Sequence, residues 1–514
     1  MSTEQPSDKK AVAIGVGAFS SARTVGGILN VLILVALTRL LDKPDFAVVI
    51  LAYLVQDTIT AIGPLGLPSA MSFHLPKLGP SIARALGLQT AQLLVGLSLP
   101  FAAILLLFGP DVAVSLDMPD AARPLIYVGL AVIADFPGRA WPDFLVAREA
   151  WRPAFFVTIA FYLTRFASLV VPAALGAPPD VIVMWLAIVA AVRGVGFFLW
   201  LIFVEKGELG PHIRKQWTIG SLFSYGVPLS MTQIVGKLNL QLDKYMIAAL
   251  MTAEAFAVYS AGAVELPLVP GIAYAATAAL IPVLVRAGTR GDTGEFLAYW
   301  HGSMIKVAAL MMPTAVALFV LGEAAVAVLF SADYAEAAAP FRVYLGLLPL
   351  RLCAYGAVLR ALGSTKPILV ASVIGLAANA ALNYPLFLAF GLTGPAYASV
   401  VSQFVQIVLL LAVIRRTLDL SWSGVFPLAP VLRALAVAAL AAPPLWLVLP
   451  YLDGYGLQLG AGLVVYFAAY VPLARFTGVV SAEDLRYALR FVSLRLARKT
   501  APKTRPKKKE NDAG

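Results

Sequence analysis

Residues 219–250 read IGSLFSYGVPLSMTQIVGKLNLQLDKYMIAAL, and the rest of the chain is organised around this stretch. It is longer than the roughly 20 apolar residues that cross a bilayer. Yet Gln233, Lys237, Gln241 and Lys244 recur in it at spacings of four, four and three, which puts them on one helical face. Asp243 sits beside that stripe, and Pro228 interrupts the backbone ladder near the start. A charge inside a membrane costs several kcal/mol unless it is paired or faces water. The face is therefore expected to line a polar cavity or a helix contact, and the cavity of a transporter is the reading taken here. The bland alternative is that Asp243 and Lys244 lie near the membrane surface and only fix packing.

Composition widens this to the whole chain. Of 514 residues, 60% are hydrophobic and 13% charged, against about 25% charged in soluble domains, and the mean hydropathy is +0.84. The expectation is an all-α polytopic membrane protein. The net charge of +11 gathers in the C-terminal tail and suits anionic lipid rather than nucleic acid. One cysteine, Cys353, allows no disulfide framework within the chain, and His74, His212 and His301 show no ligand spacing. The N-terminal stretch shows no signal-peptide cleavage site and is expected to be retained.

About 14 spanning helices are expected, among them Phe46–Leu65 as the second, Ala255–Val285 as the eighth and Ala337–Ala361 as the tenth. They sort into a cytoplasmic N-tail (1–12), a six-helix N-lobe (13–204), an inter-lobe linker (205–217), a six-helix C-lobe (218–416) and two further helices (428–476). An amphipathic helix and basic tail (481–514) close the chain. Every second loop is basic, as in Lys77 and Arg84, Arg148 and Arg152, Arg286 and Arg290, or Arg415 and Arg416. The loops between are mostly acidic, so both ends are expected in the cytoplasm of a bacterial inner membrane. No loop is much longer than about 15 residues, which leaves no room for the extracytoplasmic loop of a membrane glycosyltransferase or polymerase.

LLDKPDFAVV at 40–49 is echoed by LMTAEAFAVY at 250–259, an offset of 210 that sets Phe46 over Phe256. Six helices separate the copies. An even number gives two lobes of like orientation, related by an axis along the membrane normal.

Three stretches carry a family resemblance. FSYGVPLSMTQIVGKLNLQLDKYMIAALMTAEAFAVYSAG (223–262), ALNYPLFLAFGLTGPAYASVVSQ (381–403) and the turn ending ALGSTK (361–366) resemble Wzx-type polysaccharide flippases. These belong to the multidrug/oligosaccharidyl-lipid/polysaccharide exporter (MOP) superfamily, which also holds multidrug exporters and lipid II flippases. The resemblance implies two lobes around a central cavity that opens alternately to each side. It implies a polyprenyl-pyrophosphate-linked glycan as passenger, with membrane lipids and other polysaccharide export proteins as partners. Lipid II flippases of the superfamily also carry two extra helices, which keeps them as the alternative, beside a cation-coupled multidrug exporter.

No Walker-type phosphate loop, paired carboxylates or nucleophile–base arrangement stands out, so no enzymatic activity and no resident cofactor is expected. What stands out is charge within spans: Arg23, Arg139, Arg165, Arg193, Lys237, Lys306 and Arg351 against Asp57, Asp135, Asp243 and Glu265. A basic surplus suits an anionic passenger, and guanidinium matches phosphate oxygens. Arg23, Lys237 and Arg351 are expected on the pyrophosphate, with Asn30, Gln233 and Gln241 completing the cavity. Asp57, Glu265 and Asp243 are the candidates for coupling to H+ or Na+. Arg139, four residues from Asp135, has that carboxylate as its simplest partner.

Overall fold

The computed structural model describes residues 6–207, 209, 218–264, 268–484 and 486. Among them there is no β-strand. The first lobe is built from α1 (Pro6–Leu40), α2 (Lys43–Ile62), α3 (Leu67–Leu78), α4 (Ala83–Ser115), α5 (Ala122–Ala147), α6 (Trp151–Ala174) and α7 (Pro179–Leu199). The second contains α8 (Ile219–Leu250), α9 (Ala253–Gly262), α10 (Leu268–Arg290), α11 (Thr293–Val320), α12 (Gly322–Phe330), α13 (Ala338–Tyr344), α14 (Tyr355–Ala361), α15 (Lys366–Phe390) and α16 (Gly394–Thr417). A short α17 (Trp422–Val425) leads to α18 (Leu428–Leu440), α19 (Pro443–Val448) and α20 (Tyr455–Phe476). These last helices pack on α11 and α12. Tyr470 anchors them by donating its hydroxyl to the carbonyl of Ala309 at 2.6 Å.

Eleven stretches of the described residues are long and apolar enough to cross a membrane, and the protein is a multi-pass membrane protein. The count differs from 14 for identifiable reasons. Lys366–Thr417 is one stretch holding both α15 and α16. The polar residues of α8 keep its hydropathy down, and only part of the side chains of α10 are described. Helix α1 begins at Pro6, inside the stretch expected as a tail. Most of the linker and nearly all of the C-terminal amphipathic helix and tail lie outside the described residues.

Three expected helices are interrupted. The second span continues beyond Leu65 as α3, after a break at Gly66, whose φ of +74° suits glycine. The eighth stops at Gly262, where a Cβ would lie 2.4 Å from the carbonyl oxygen of Ala337. The tenth is divided around Pro349, which has no N–H to continue the ladder.

The sequence repeat has a structural counterpart. The Asp42 side chain accepts from the N–H of Asp45 at 2.9 Å to start α2, and Thr252, at the equivalent position, accepts from Ala255 at 3.3 Å to start α9. Phe46 and Phe256 are both fully buried, and α2 packs against α9. Equivalent elements of two like-oriented halves meet where a two-fold relation brings a surface onto its own copy.

Besides the packing of α2 on α9, the lobes meet at two further levels. At one, Arg39 donates from Nε to Leu329 O at 3.3 Å and from Nη2 to Val328 O. There the ring of Phe46 meets Tyr334 edge-on at 5.9 Å. At the other, Gly66 and Gly226 approach backbone to backbone, so that a Cβ on Gly66 would sit 2.2 Å from the Gly226 oxygen. Beside them Phe73 stacks on Tyr225 at 3.9 Å, with Lys77 over the Phe73 ring. A cavity of about 460 Å³ lies between the lobes.

Candidate functional site

Helix α8 fastens the second lobe to α2 by one polar side chain per turn. Lys237 forms an ion pair with Asp57, Gln241 donates to the same carboxylate at 3.3 Å, and the Tyr245 hydroxyl donates to Thr58 at 2.8 Å. Residues 237, 241 and 245 share a face because four residues nearly complete a turn. Lys237, Gln241 and Lys244 line the inter-lobe cavity together with Asn30, Tyr53 and Asp57. The Tyr53 hydroxyl donates to Asn30 at 3.3 Å, and the Arg165 guanidinium stacks over its ring at 4.3 Å. Arg165 also reaches Asp57, at 4.0 Å.

A second group of charges lies inside the first lobe. Asp135 is buried on α5. It accepts from Arg139 Nε at 3.2 Å, from Gln56 at 3.3 Å and from Arg193 on α7. Both guanidiniums lie over the Phe161 ring, Arg193 at 3.9 Å and Arg139 at 5.8 Å. Arg23 on α1 pairs with Asp143 at 3.5 Å. Arg23, Arg139, Asp143, Phe161 and Arg193 line a cavity of about 390 Å³ between α1, α5, α6 and α7. Arg23, Arg139, Arg165, Arg193 and Lys237 thus share Asp57, Asp135 and Asp143, five cations on three carboxylates. Buried pairs require such partners, since removing one side costs about 3–5 kcal/mol.

The second lobe holds its buried carboxylate differently. Asp243 is fully buried. It accepts hydroxyl hydrogen bonds from Tyr259 at 2.7 Å, from Ser399 at 3.4 Å and from Tyr344. Nearby, Asn379 donates to the side-chain oxygen of Asn239 at 2.9 Å and accepts from Asn383 at 2.7 Å. Tyr344 also lines the inter-lobe cavity, so one side chain touches both the cavity and the buried acid.

The candidates from sequence divide accordingly. Lys237, Gln241 and Asn30 line the inter-lobe cavity. Gln233 is exposed one turn earlier and is not among its lining residues. The expectation that Arg23, Lys237 and Arg351 meet on one group is corrected. Arg23 faces the cavity inside the first lobe, Lys237 the one between lobes, and Arg351, in a short turn at 349–351, neither. Asp57 is already paired with bases, which weakens it as an ion-coupling residue. Asp243 points away from the Lys237 stripe into its own lobe. Glu265 lies outside the described residues. Asp143, Tyr53, Tyr344 and Ser399 were missed. Asp143 had a signal: Asp135, Gly138, Arg139, Pro142 and Asp143 fall at i, i+3, i+4, i+7 and i+8, one face of α5. Among the described residues no group of three or more His, Cys, Asp or Glu is placed to hold a metal ion.

Residues 12–287 match the family described as "Polysaccharide biosynthesis protein". No curated protein matches the chain. Among solved structures, the lipid II flippase MurJ in an inward closed conformation is similar over 89% of this chain and 97% of its own, with a TM-score of 0.66 and 16% identity. An inward-facing MATE family multidrug resistance transporter of the MOP superfamily is similar over 77% and 94%, with a TM-score of 0.56 and 14% identity. The eukaryotic MATE transporter AtDTX14 is similar over 84% and 98%, with a TM-score of 0.51 and 15% identity. At these identities the likeness is one of fold.

Proposed function

The chain belongs to the polysaccharide biosynthesis protein family, and from that premise we propose that it is a flippase for a lipid-linked, anionic oligosaccharide. The passenger is an undecaprenyl-pyrophosphate-linked glycan, carried across the inner membrane for surface polysaccharide export, with both termini of the protein in the cytoplasm. The observation that carries this reading is the set of five cations sharing three carboxylates in and beside the inter-lobe cavity. A multidrug exporter for cations would need the opposite balance.

The mechanism starts at Lys237. Its bond to Asp57 is also a bond between the lobes. A pyrophosphate entering the cavity offers Lys237 and Arg165 better-matched oxygens than one shared carboxylate. Binding then competes with an inter-lobe contact and shifts the balance between the two lobe arrangements. The Phe73–Tyr225 stack and the Arg39 contact are the two closures that exchange. Coupling to H+ or Na+ is assigned to Asp243, because a buried carboxylate held by hydroxyls can gain or lose a cation without breaking a salt bridge, and Tyr344 connects it to the cavity.

Deleting the gene and complementing with Lys237→Gln or Arg165→Gln tests the reading. Surface polysaccharide should be lost while the variant protein remains in the membrane. Normal export by both variants contradicts it. The second reading, a lipid II flippase, is favoured by the α18–α20 addition packed on the second lobe. It predicts lysis of the deletion strain, where the main reading predicts a viable strain lacking the polymer.

A further inference from the structure

The cavity inside the first lobe is not simply an arm of the one between the lobes. It has its own lining, from α1, α5, α6 and α7, and its own charge balance. Arg139 and Arg193 share Asp135, while Arg23 pairs with Asp143, so among the described ion pairs the Asp135 group carries two cations on one carboxylate. The geometry is built to hold that group in place. Gly138 leaves the space that Arg193 occupies, since a Cβ there would lie 2.8 Å from Arg193 Nε. Gly194 lets α7 approach α5 to where a Cβ would be 2.2 Å from the Ala134 oxygen. Gly26 lets α1 rest on the Tyr162 ring in the same way.

Arg193 is largely enclosed and stacked on Phe161, with its Nε–H packed against Gly138 and its guanidinium lining the pocket. Phe161 and Tyr162 give the pocket aromatic walls beside the Arg139 and Arg193 guanidiniums, and Thr158 adds a hydroxyl. About 390 Å³ falls in the lower part of the range of small-molecule sites, roughly 300–1,000 Å³.

We propose that this pocket is a binding site for an acidic sugar, a pyranose carrying one carboxylate, whose charge is met by Arg193 and Arg139 and whose ring lies against Phe161 and Tyr162. One carboxylate balances the single surplus charge. A pyrophosphate brings more negative charge than the pocket can match. The inference deepens the flippase reading by naming the class of glycan: one with a uronic acid or similar acidic residue near its lipid-linked end.

Binding of sodium glucuronate to the purified full-length protein in lipid nanodiscs, followed by calorimetry, tests it, with glucose and inorganic phosphate as the other probes. Glucuronate is expected to bind saturably and glucose not. Arg193→Gln and Arg139→Gln should each weaken glucuronate at least tenfold. Phe161→Leu, which leaves every charge in place, should weaken it severalfold, and it supplies the test if the arginine variants do not fold. Lys237→Gln should lose export and keep glucuronate binding, so failure of the flippase reading and failure of this site separate. Equal binding of glucose and glucuronate overturns the proposal. So do phosphate binding in preference to glucuronate, the absence of saturable glucuronate binding in the millimolar range, and binding unchanged in Arg193→Gln.

Discussion

Around Asp135 in the first lobe and Asp243 in the second, one problem is solved twice: a carboxylate deep within a membrane-embedded helix bundle must be stabilised. The first lobe surrounds it with cations, Arg139 and Arg193, and one amide, Gln56. The second surrounds it with hydroxyls from Tyr259, Tyr344 and Ser399. The lobes share a start, with Asp42 and Thr252 capping α2 and α9 at equivalent positions. They differ inside. A salt-bridged acid is fixed in its charged form, because protonation would strand two guanidiniums. A hydroxyl-held acid keeps hydrogen-bond partners in either form, since hydroxyls both donate and accept. Under the proposed function this difference would divide the work, with the cations of the first lobe joining Lys237 on the anionic passenger and the Asp243 group answering to a coupling cation.

The comparison breaks most visibly at Asp135. Asp135→Ala should cost about 3 kcal/mol, because two largely enclosed guanidiniums lose their counter-charge. The thermal unfolding midpoint of the purified protein should fall by a wide margin. A midpoint like that of the wild type would mean that the network is hydrated and not structural. Asp243→Asn sharpens the contrast. It keeps the shape and an acceptor oxygen, and should cost only about 1 kcal/mol. Yet glycan transport should no longer respond to an imposed proton or sodium gradient, and an undiminished response would remove the second lobe's assigned role.

The smallest effect belongs to a site outside both lobes' interiors. Ser481 donates to Asp484, and Lys306 lies 3.5 Å from it, so the carboxyl is held below its usual range. A depressed folded-state value adds stability above the ordinary carboxylate range, lost as pH falls through that lowered value, below about 4. The group is partly exposed, so solvent screens the pair. Asp484→Asn should therefore shift the unfolding midpoint only marginally at pH 7, and by less as pH falls below the ordinary carboxylate range.

Much of the fold was legible. Apolar runs interrupted by turns marked the helices, and the repeat at Phe46 and Phe256 marked two like halves. The stripe on α8 announced its role because residues at helical spacing share a face. Asp243, adjacent to Lys244 and only two residues from Gln241, points elsewhere for the same geometric reason: one residue further along a helix turns about 100°. What sequence could not carry was pairing between distant helices. Lys237 meets Asp57 across 180 residues, and no local spacing encodes that. Nor could it reveal that Arg23 faces one cavity while Asn30, two turns away, faces another. That partition depends on how close Gly26, Gly138 and Gly194 let their helices come.

The most direct test is translocation itself. Purified protein in proteoliposomes should move a polyprenyl-pyrophosphate-linked oligosaccharide to the opposite leaflet, read out by access of an added glycosidase. Lys237→Gln, folded and inserted, should slow this at least tenfold, since it removes the cation that links cavity, passenger and lobes. A rate equal to the wild type in that variant would contradict the account.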